Sequence, residues 1–186
     1  MKYMLLFALT IISFSDLLAQ HDVAYFNHTQ VSFFIGEESE DKTQKATIPS
    51  FQTINGIRYG ENWAIGLGIG AEPFEYLVYP VFFSCHYFFN NLKYNPFFDF
   101  KVGHAFSRSH KKFNEYGYYG DFDHKGGLMF QPEVGVRFKM FDVEMTLSGG
   151  YRFQRLKSKA KQQNSYYTYE HQVEYNRVSF ALGIMF

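Results

Sequence analysis

The chain has 186 residues, of which 46% are hydrophobic and 21% aromatic, with 23 Phe, 15 Tyr and one Trp. Its 18 basic and 18 acidic residues cancel, so there is no electrostatic reason to expect nucleic-acid binding, and a single cysteine excludes an intrachain disulfide. The length suits one domain, and the composition is typical neither of a disordered chain nor of a bundle of transmembrane helices.

Residues 1–19 have the pattern of a secretory signal peptide. Lys2 gives a short basic start, an apolar stretch runs from Met4 to Phe14, and Ala19 precedes the expected cleavage point. The apolar stretch is too short to span a bilayer as a helix. We therefore predict export, with residues 20–186 as the mature domain.

After the predicted signal, apolar residues alternate with small or polar residues, which is the pattern of half-buried β-strands. We predict eight strands, in chain order about 24–35, 48–59, 63–72, 76–89, 96–107, 130–139, 141–154 and 177–186. Three connections, 36–47, 108–127 and 156–172, are long and polar, and they fall at one rim if the strands alternate in direction. An up-and-down meander with an even number of strands predicts this segregation.

The two faces of the predicted strands differ in size and polarity. One face carries large apolar residues, and the other carries glycines and charges of both signs. The interior of an eight-stranded barrel is only just wide enough for side chains, so the apolar face cannot be inside while Gly66, Gly68 and Gly70 face solvent. We predict a lumen lined by glycines and charges and an outer face in lipid; a soluble ligand-binding barrel is the alternative.

Aromatic residues concentrate near the predicted strand ends, as expected for side chains at the two interfaces of a membrane. The group expected at the rim with the short connections is Tyr59, Trp63, Tyr87, Phe89, Tyr94, Phe97, Phe138, Phe141 and Phe186. The looser group expected towards the long loops is Phe33, Phe51, Tyr79, Phe106, Tyr151 and Phe153.

Several segments together carry a family resemblance. The stretch PSFQTINGIRYG followed by WAIGLGIG, the stretch YNPFFDFKVGHAF and the final VSFALGIMF resemble the small outer-membrane β-barrel proteins of the OmpA/OmpX-like type, particularly those of Bacteroidota. The resemblance implies an all-β, eight-stranded antiparallel up-and-down transmembrane barrel in a Gram-negative outer membrane, surrounded by lipid and lipopolysaccharide. The last strand, with Phe186, is similar to the signal by which the barrel-assembly machinery selects its clients. The resemblance implies no single activity.

Charged residues on the lumen-facing parity form the first candidate site. They are Arg58, Asp99, Lys101, Glu133, Arg137, Asp142, Glu144, Arg152 and Arg177. Because charges removed from bulk water need partners, we predict that Asp99, Lys101, Glu133, Arg137 and Glu144 form a hydrogen-bonded network that plugs the lumen. Structural filling is one interpretation, and a narrow ion path or proton-sensitive gate is the other.

The second candidate site follows from carrying the outward parity beyond the predicted strands. It places six basic residues just above the upper aromatic group: Arg108, His110, Lys112, Arg155, Lys157 and Lys159. The phosphates of lipopolysaccharide would lie at this height, and Arg and Lys suit them. Ordinary solubilising charges on loop stems are the alternative.

Catalytic and metal-binding patterns are weak. His104, Ser107 and Ser109 are close in sequence, but His104 and Ser107 have opposite parity, so we expect no enzyme. The loop residues His110, Asp121, Asp123 and His124 have irregular spacing, and we expect no metal and no cofactor.

We expect a monomer with a structural or surface-interaction role, in which Tyr116, Tyr118 and Tyr119 of the long loop 108–127 offer amphipathic contacts. A narrow porin-like channel for small solutes and, third, a lipid-modifying enzyme are the alternative functions.

Overall fold

A computed structural model of the chain describes residues 23–37, 45–74, 77–89, 93–107, 110–113, 120–162 and 168–186. The predicted signal peptide, residues 1–19, lies outside the described residues, and so do the predicted loop contacts Tyr116, Tyr118 and Tyr119. In the described part of the chain, no helix has the length and apolar character needed to span a membrane.

The described residues form ten strands. They are β1 (Val23–Glu37), β2 (Lys45–Tyr59), β3 (Trp63–Pro73), β4 (Leu77–Phe88), β5 (Tyr94–Ser107), β6 (His110–Phe113), β7 (Gly120–Lys125), β8 (Gly127–Met140), β9 (Val143–Gln162) and β10 (Thr168–Met185).

Eight of these strands close into an antiparallel barrel. β1 to β5, β8, β9 and β10 each pair with the next, and β10 also pairs with β1. At the closure, Val31 of β1 lies between Phe51 of β2 and Leu182 of β10. The prediction of an eight-stranded up-and-down barrel is confirmed, and closure removes the free edges that an open sheet would expose.

The strands extend further at the long-loop rim than alternation predicts. Most of the predicted loop 156–172 is strand, because β9 reaches Gln162 and β10 begins at Thr168. The predicted loop 108–127 contains β6 and β7, and β7 pairs with the upper part of β9 from Lys125 opposite Lys157 to Gly120 opposite Gln162. A backbone ladder satisfies N–H and C=O groups whatever the side chains are, so pairing continues beyond the apolar segment.

The β8–β9 connection, at the other rim, is tight. Met140 pairs with Val143 across a two-residue turn in which Phe141 and Asp142 have φ of 50° and 64°. Positive φ at both central positions is the signature of the hairpin turn that matches strand twist. The turn projects Phe141 away from the barrel at this rim, so that 91% of the residue is exposed.

Side-chain burial alternates along the strands in the predicted sense. On β3, Trp63, Ile65, Leu67 and Ile69 face outward, whereas the intervening positions face the lumen. One aromatic prediction is wrong: Phe97 is 1% exposed and packs inside the barrel, because the odd-numbered positions of β5 face inward. It belongs to the lumen rather than to an interfacial ring.

Candidate functional site

The centre of the lumen holds a buried charge cluster on β5 and β8. Asp99 lies directly opposite Glu133 in the β5–β8 ladder, a position in which two carboxylates repel each other. Lys101 relieves the repulsion, because its Nζ is 2.6 Å from Glu133 Oε2 and 3.2 Å from Asp99 Oδ2, with all three side chains fully buried.

Neutral side chains donate or accept further hydrogen bonds in this central cluster. Ser84 Oγ donates to Asp99 Oδ1 at 2.7 Å, and Gln131 Nε2 donates to Glu133 Oε1 at 2.9 Å. Lys101 Nζ also donates to Gln52 Oε1 at 3.3 Å. Strands β2, β4, β5 and β8 are thereby joined across the lumen by hydrogen bonds between buried groups.

A second buried ion pair links β3 to β9. Arg152 Nη2 is 2.7 Å from Glu72 Oε2, and both side chains are fully buried. Arg152 also donates to Gln131 Oε1 at 2.7 Å, which connects this pair to the central cluster. Glu72 is a partner that the sequence analysis missed, although it shares the inward parity of Gly66, Gly68 and Gly70.

Three further predicted lumen charges, Arg58, Arg137 and Glu144, lie at the rim with the short connections. Arg137 Nη1 is 3.1 Å and Arg58 Nη2 is 3.9 Å from Glu144 Oε2, and the Glu144 side chain is 38% exposed. In the β5–β8 register, the opposed positions Phe97 and Gly135 separate this group from the central cluster. The predicted residues therefore occupy two layers of the lumen.

The inward assignment of Asp142 is wrong. Its side chain is 95% exposed and pairs with Lys139 at 3.1 Å beside the turn, because the positive φ of the turn ends the strand alternation. The predicted lumen residue Arg177 is buried, and its guanidinium lies 5.5 Å from the centre of the Phe74 ring and 5.2 Å from that of Tyr175.

Apolar side chains fill the lumen above and below the charges. One cluster contains Phe26, Ile54, Ala64, Phe82, Phe88, Phe97, Met129 and Met185. A second, towards the long loops, contains Val78, Ala105, Leu156 and Tyr175 with Phe74 and Val173 against them. Gly68 makes room for this packing, since a Cβ atom there would lie 2.3 Å from the Phe82 ring. The interior is a packed core with polar layers.

Two buried histidines complete the central layer. His28 on β1 and His86 on β4 face each other across the lumen, with His28 Nδ1 3.1 Å from His86 Nε2. His86 Nε2 is also 3.2 Å from Asp99 Oδ2. Neither histidine is among the residues predicted from the sequence; the inward parity of His86 on β4 is the signal that could have found it.

The structure describes the side chains of two of the six predicted lipopolysaccharide-contact residues, Arg155 and Lys157. Arg108 lies outside the described residues, as do the side chains of His110, Lys112 and Lys159. Lys157 is half-buried. Arg155 forms an ion pair with Glu174 of β10, with Nη2 2.7 Å from Oε1, so its charge is already matched within the protein. The structure does not bring a described cluster of unpaired cations to this rim.

The fold is that of the small eight-stranded outer-membrane β-barrels: closed, antiparallel, apolar outside and filled with polar and aromatic side chains. Neisserial surface protein A, NspA, is similar with a TM-score of 0.52 and 13% identity, covering 88% of this chain and 99% of that chain. OprG, an outer membrane protein from Pseudomonas aeruginosa, is similar with a TM-score of 0.53 and 10% identity over 87% of this chain and 95% of that chain.

AlkL, an outer membrane protein whose structure was determined in DMPC lipid bilayers, has a TM-score of 0.51 and 14% identity over 87% of this chain and 88% of that chain. No protein-family model and no curated protein sequence matches the chain. At 10–14% sequence identity, these similarities show the fold alone.

Proposed function

We propose that the protein is a monomeric barrel of a Gram-negative outer membrane, exported through the predicted signal at residues 1–19 and inserted by the barrel-assembly machinery. The apolar outer surface supports this proposal: Leu67, Val134 and Leu147, in the middle of their strands, are 68%, 63% and 60% exposed. A continuous exposed apolar surface of this kind is unstable in water and matches lipid.

The proposed role is structural or in surface interaction, with a closed lumen. The observation that carries it is the complete burial of the ion pairs between Lys101 and Glu133 and between Arg152 and Glu72. Four long charged side chains from β3, β5, β8 and β9 meet inside a barrel whose interior has room for side chains only. The interior charges therefore serve to hold the strands together, and the protein acts through its outer surface and loops.

We propose that the basic loop stems contact lipopolysaccharide phosphates, with Lys157 as the described residue that carries the contact. Replacing Lys157 with Ser should lower the lipopolysaccharide that co-purifies with the protein. Lys139→Ser is the matched control, because Lys139 is an exposed lysine beside a turn at the opposite rim. Equal lipid content in the two variants would contradict the contact.

We also propose that the protein is not an enzyme. His104 faces outward, towards the lipid, and Ser107 Oγ donates to the Leu77 carbonyl at 3.5 Å. A nucleophile and its base need to be within hydrogen-bond reach of each other. Mass spectrometry of lipid A from cells with and without the protein is expected to give identical profiles; a change in acylation would overturn the proposal.

The closed-lumen role is tested by solute uptake. Liposomes containing the refolded protein are expected to swell in small sugars and amino acids no faster than empty liposomes, while gel migration that changes on heating verifies the folded barrel. The variant Glu144→Gln, altered at the rim rather than in the packed layers, serves as a matched control and is expected to be equally impermeant. Swelling that rises with the amount of folded protein would favour the alternative, a narrow porin-like channel.

A further inference from the structure

Three side chains that bind metals in proteins converge in the central layer of the lumen. One ligand atom from each of His28, His86 and Asp99 lies within 4.8 Å of the other two, and all three residues are buried. We propose that they form a binding site for a divalent metal ion of the zinc type. The residues come from β1, β4 and β5, so a bound ion would cross-link strands on different sides of the barrel.

The distances between the ligand atoms suit this ion. A tetrahedral zinc ion with bonds of about 2.0–2.1 Å holds its ligand atoms roughly 3.3 Å apart. In the barrel, His28 Nδ1 and His86 Nε2 are 3.1 Å apart, and His86 Nε2 and Asp99 Oδ2 are 3.2 Å apart. The two pairs of atoms are therefore already close to the spacing of neighbouring ligand atoms around a tetrahedral ion.

The opposite nitrogen of each ring is held by a hydroxyl group. Thr146 Oγ1 lies 2.9 Å from His28 Nε2, and Ser84 Oγ lies 3.1 Å from His86 Nδ1. Ser84 also donates to Asp99 Oδ1 at 2.7 Å. Metal-binding histidines are usually oriented in this way by hydrogen bonds on the second ring nitrogen. The arrangement directs His28 Nδ1, His86 Nε2 and Asp99 Oδ2 towards one another.

Asp99 Oδ2 points into the site without a hydrogen bond, although it is fully buried. Lys101 Nζ is its nearest charged neighbour at 3.2 Å, but Lys101 is closer to Glu133, at 2.6 Å. When both are ionised, Asp99 and Glu133 carry two negative charges against the one positive charge on Lys101. With both imidazoles neutral, the layer has an excess of negative charge that a cation would balance, while Lys101 stays paired with Glu133.

The donor set indicates the class of metal. Two imidazole nitrogens and one carboxylate oxygen suit zinc and its neighbours among the first-row transition metals, whereas calcium and magnesium prefer oxygen ligands alone. Three protein ligands leave a fourth position for water. Because the site is buried, we expect loading during folding rather than by exchange with the folded barrel.

The test uses the chain without an affinity tag, refolded in detergent with CoCl₂ or ZnCl₂ and then passed through gel filtration. Co²⁺ is expected to remain bound at about one equivalent per barrel, with the visible absorption bands of a tetrahedral complex. At Zn²⁺ concentrations of about 100 times Kd, the equilibrium constant for unfolding should fall roughly 100-fold. Folded wild-type protein that retains no metal and shows no Co²⁺ bands would overturn the proposal, whatever the variants do.

Two kinds of variant identify the ligands. His28→Gln and His86→Gln should each abolish the Co²⁺ bands, whereas His104→Gln, which removes an outward-facing histidine of β5, should leave them intact. Thr146→Val tests the positioning role and should weaken metal affinity by about 10–100-fold with the bands retained. Bands that survive in His86→Gln, or that disappear in His104→Gln, would show that the metal binds elsewhere and would also overturn the site.

Discussion

The ion pair between Arg152 and Glu72 gives the sharpest test of a dry, packed lumen. Both side chains are fully buried, and Arg152 Nη2 is 2.7 Å from Glu72 Oε2. The variant Arg152→Met keeps a side chain of similar length but leaves the Glu72 carboxylate without its charged partner. Removing one member of a buried ion pair costs about 3–5 kcal/mol.

The structure places the expected loss near the lower end of this range. Glu72 Oε1 keeps two donors, Ser50 Oγ and Gln52 Nε2, each at 3.1 Å. We therefore expect Arg152→Met to lower the free energy of unfolding by about 3 kcal/mol. In the double variant Glu72→Gln/Arg152→Met the buried charge is gone, so we expect it to recover about 2 kcal/mol of that loss.

Equilibrium urea unfolding in lipid vesicles measures both variants. The chain has a single tryptophan; this residue, Trp63, is 48% exposed at the start of β3, so its fluorescence reports insertion at the interface. Gel migration with and without heating gives an independent readout of folding. A loss below about 1 kcal/mol for the single variant, as for solvated ion pairs, would refute a dry lumen. Additive losses in the double variant would refute the coupling.

Three further predictions use the same unfolding measurement. Leu67→Arg should cost about 2–4 kcal/mol because it puts a charge in the apolar belt, whereas Phe141→Arg in the exposed turn should cost less than about 1 kcal/mol; equal costs would contradict the proposed placement in the membrane. Gly103→Val should abolish the folded band on gels, since a Cβ there would lie 2.2 Å from the Val81 carbonyl oxygen; a normal band would contradict the close approach of β4 and β5. Glu144→Gln should cost less than about 1 kcal/mol because its side chain is 38% exposed; a loss above about 3 kcal/mol would mean a buried role.

The number, direction and facing of the eight barrel strands were predictable because a strand has a period of two. Once Gly66, Gly68 and Gly70 are assigned to the interior, the small volume of the lumen determines which face of each remaining strand points inward. The same rule places Phe97 with Asp99 inside the barrel. Its position near a strand end favours an interfacial ring, but its parity decides which way it faces.

Contacts across the lumen were not predictable in the same way. His28 and His86 lie on β1 and β4, and Glu72 and Arg152 lie on β3 and β9. The two strands of each pair are not adjacent in the barrel, so the relative heights of their residues depend on the register accumulated over the intervening strands. Parity shows that a residue faces inward, but it does not show which inward residues share a layer. The two-layer arrangement of the predicted charges has the same origin.

The ends of the strands at the long-loop rim were also beyond prediction. Polar residues such as Lys157 and Glu174 lack the apolar alternation that marks a strand in lipid, yet they continue the β9–β10 ladder, with Leu156 opposite Val173. Backbone pairing, rather than side-chain polarity, sets the length of these strands outside the apolar belt.

Electrical recording tests the closed lumen most directly. The refolded protein, reconstituted in a planar lipid bilayer at high salt, is expected to give no steady single-channel conductance, because the ion pairs of Lys101 with Glu133 and of Arg152 with Glu72 and the apolar layers fill the interior. The protein is delivered by fusing vesicles with the bilayer, and heat-modifiable protein recovered from the same batch of vesicles verifies the folded barrel. Uniform, long-lived conductance steps that scale with the amount of inserted protein would contradict a closed lumen and would make the barrel a channel.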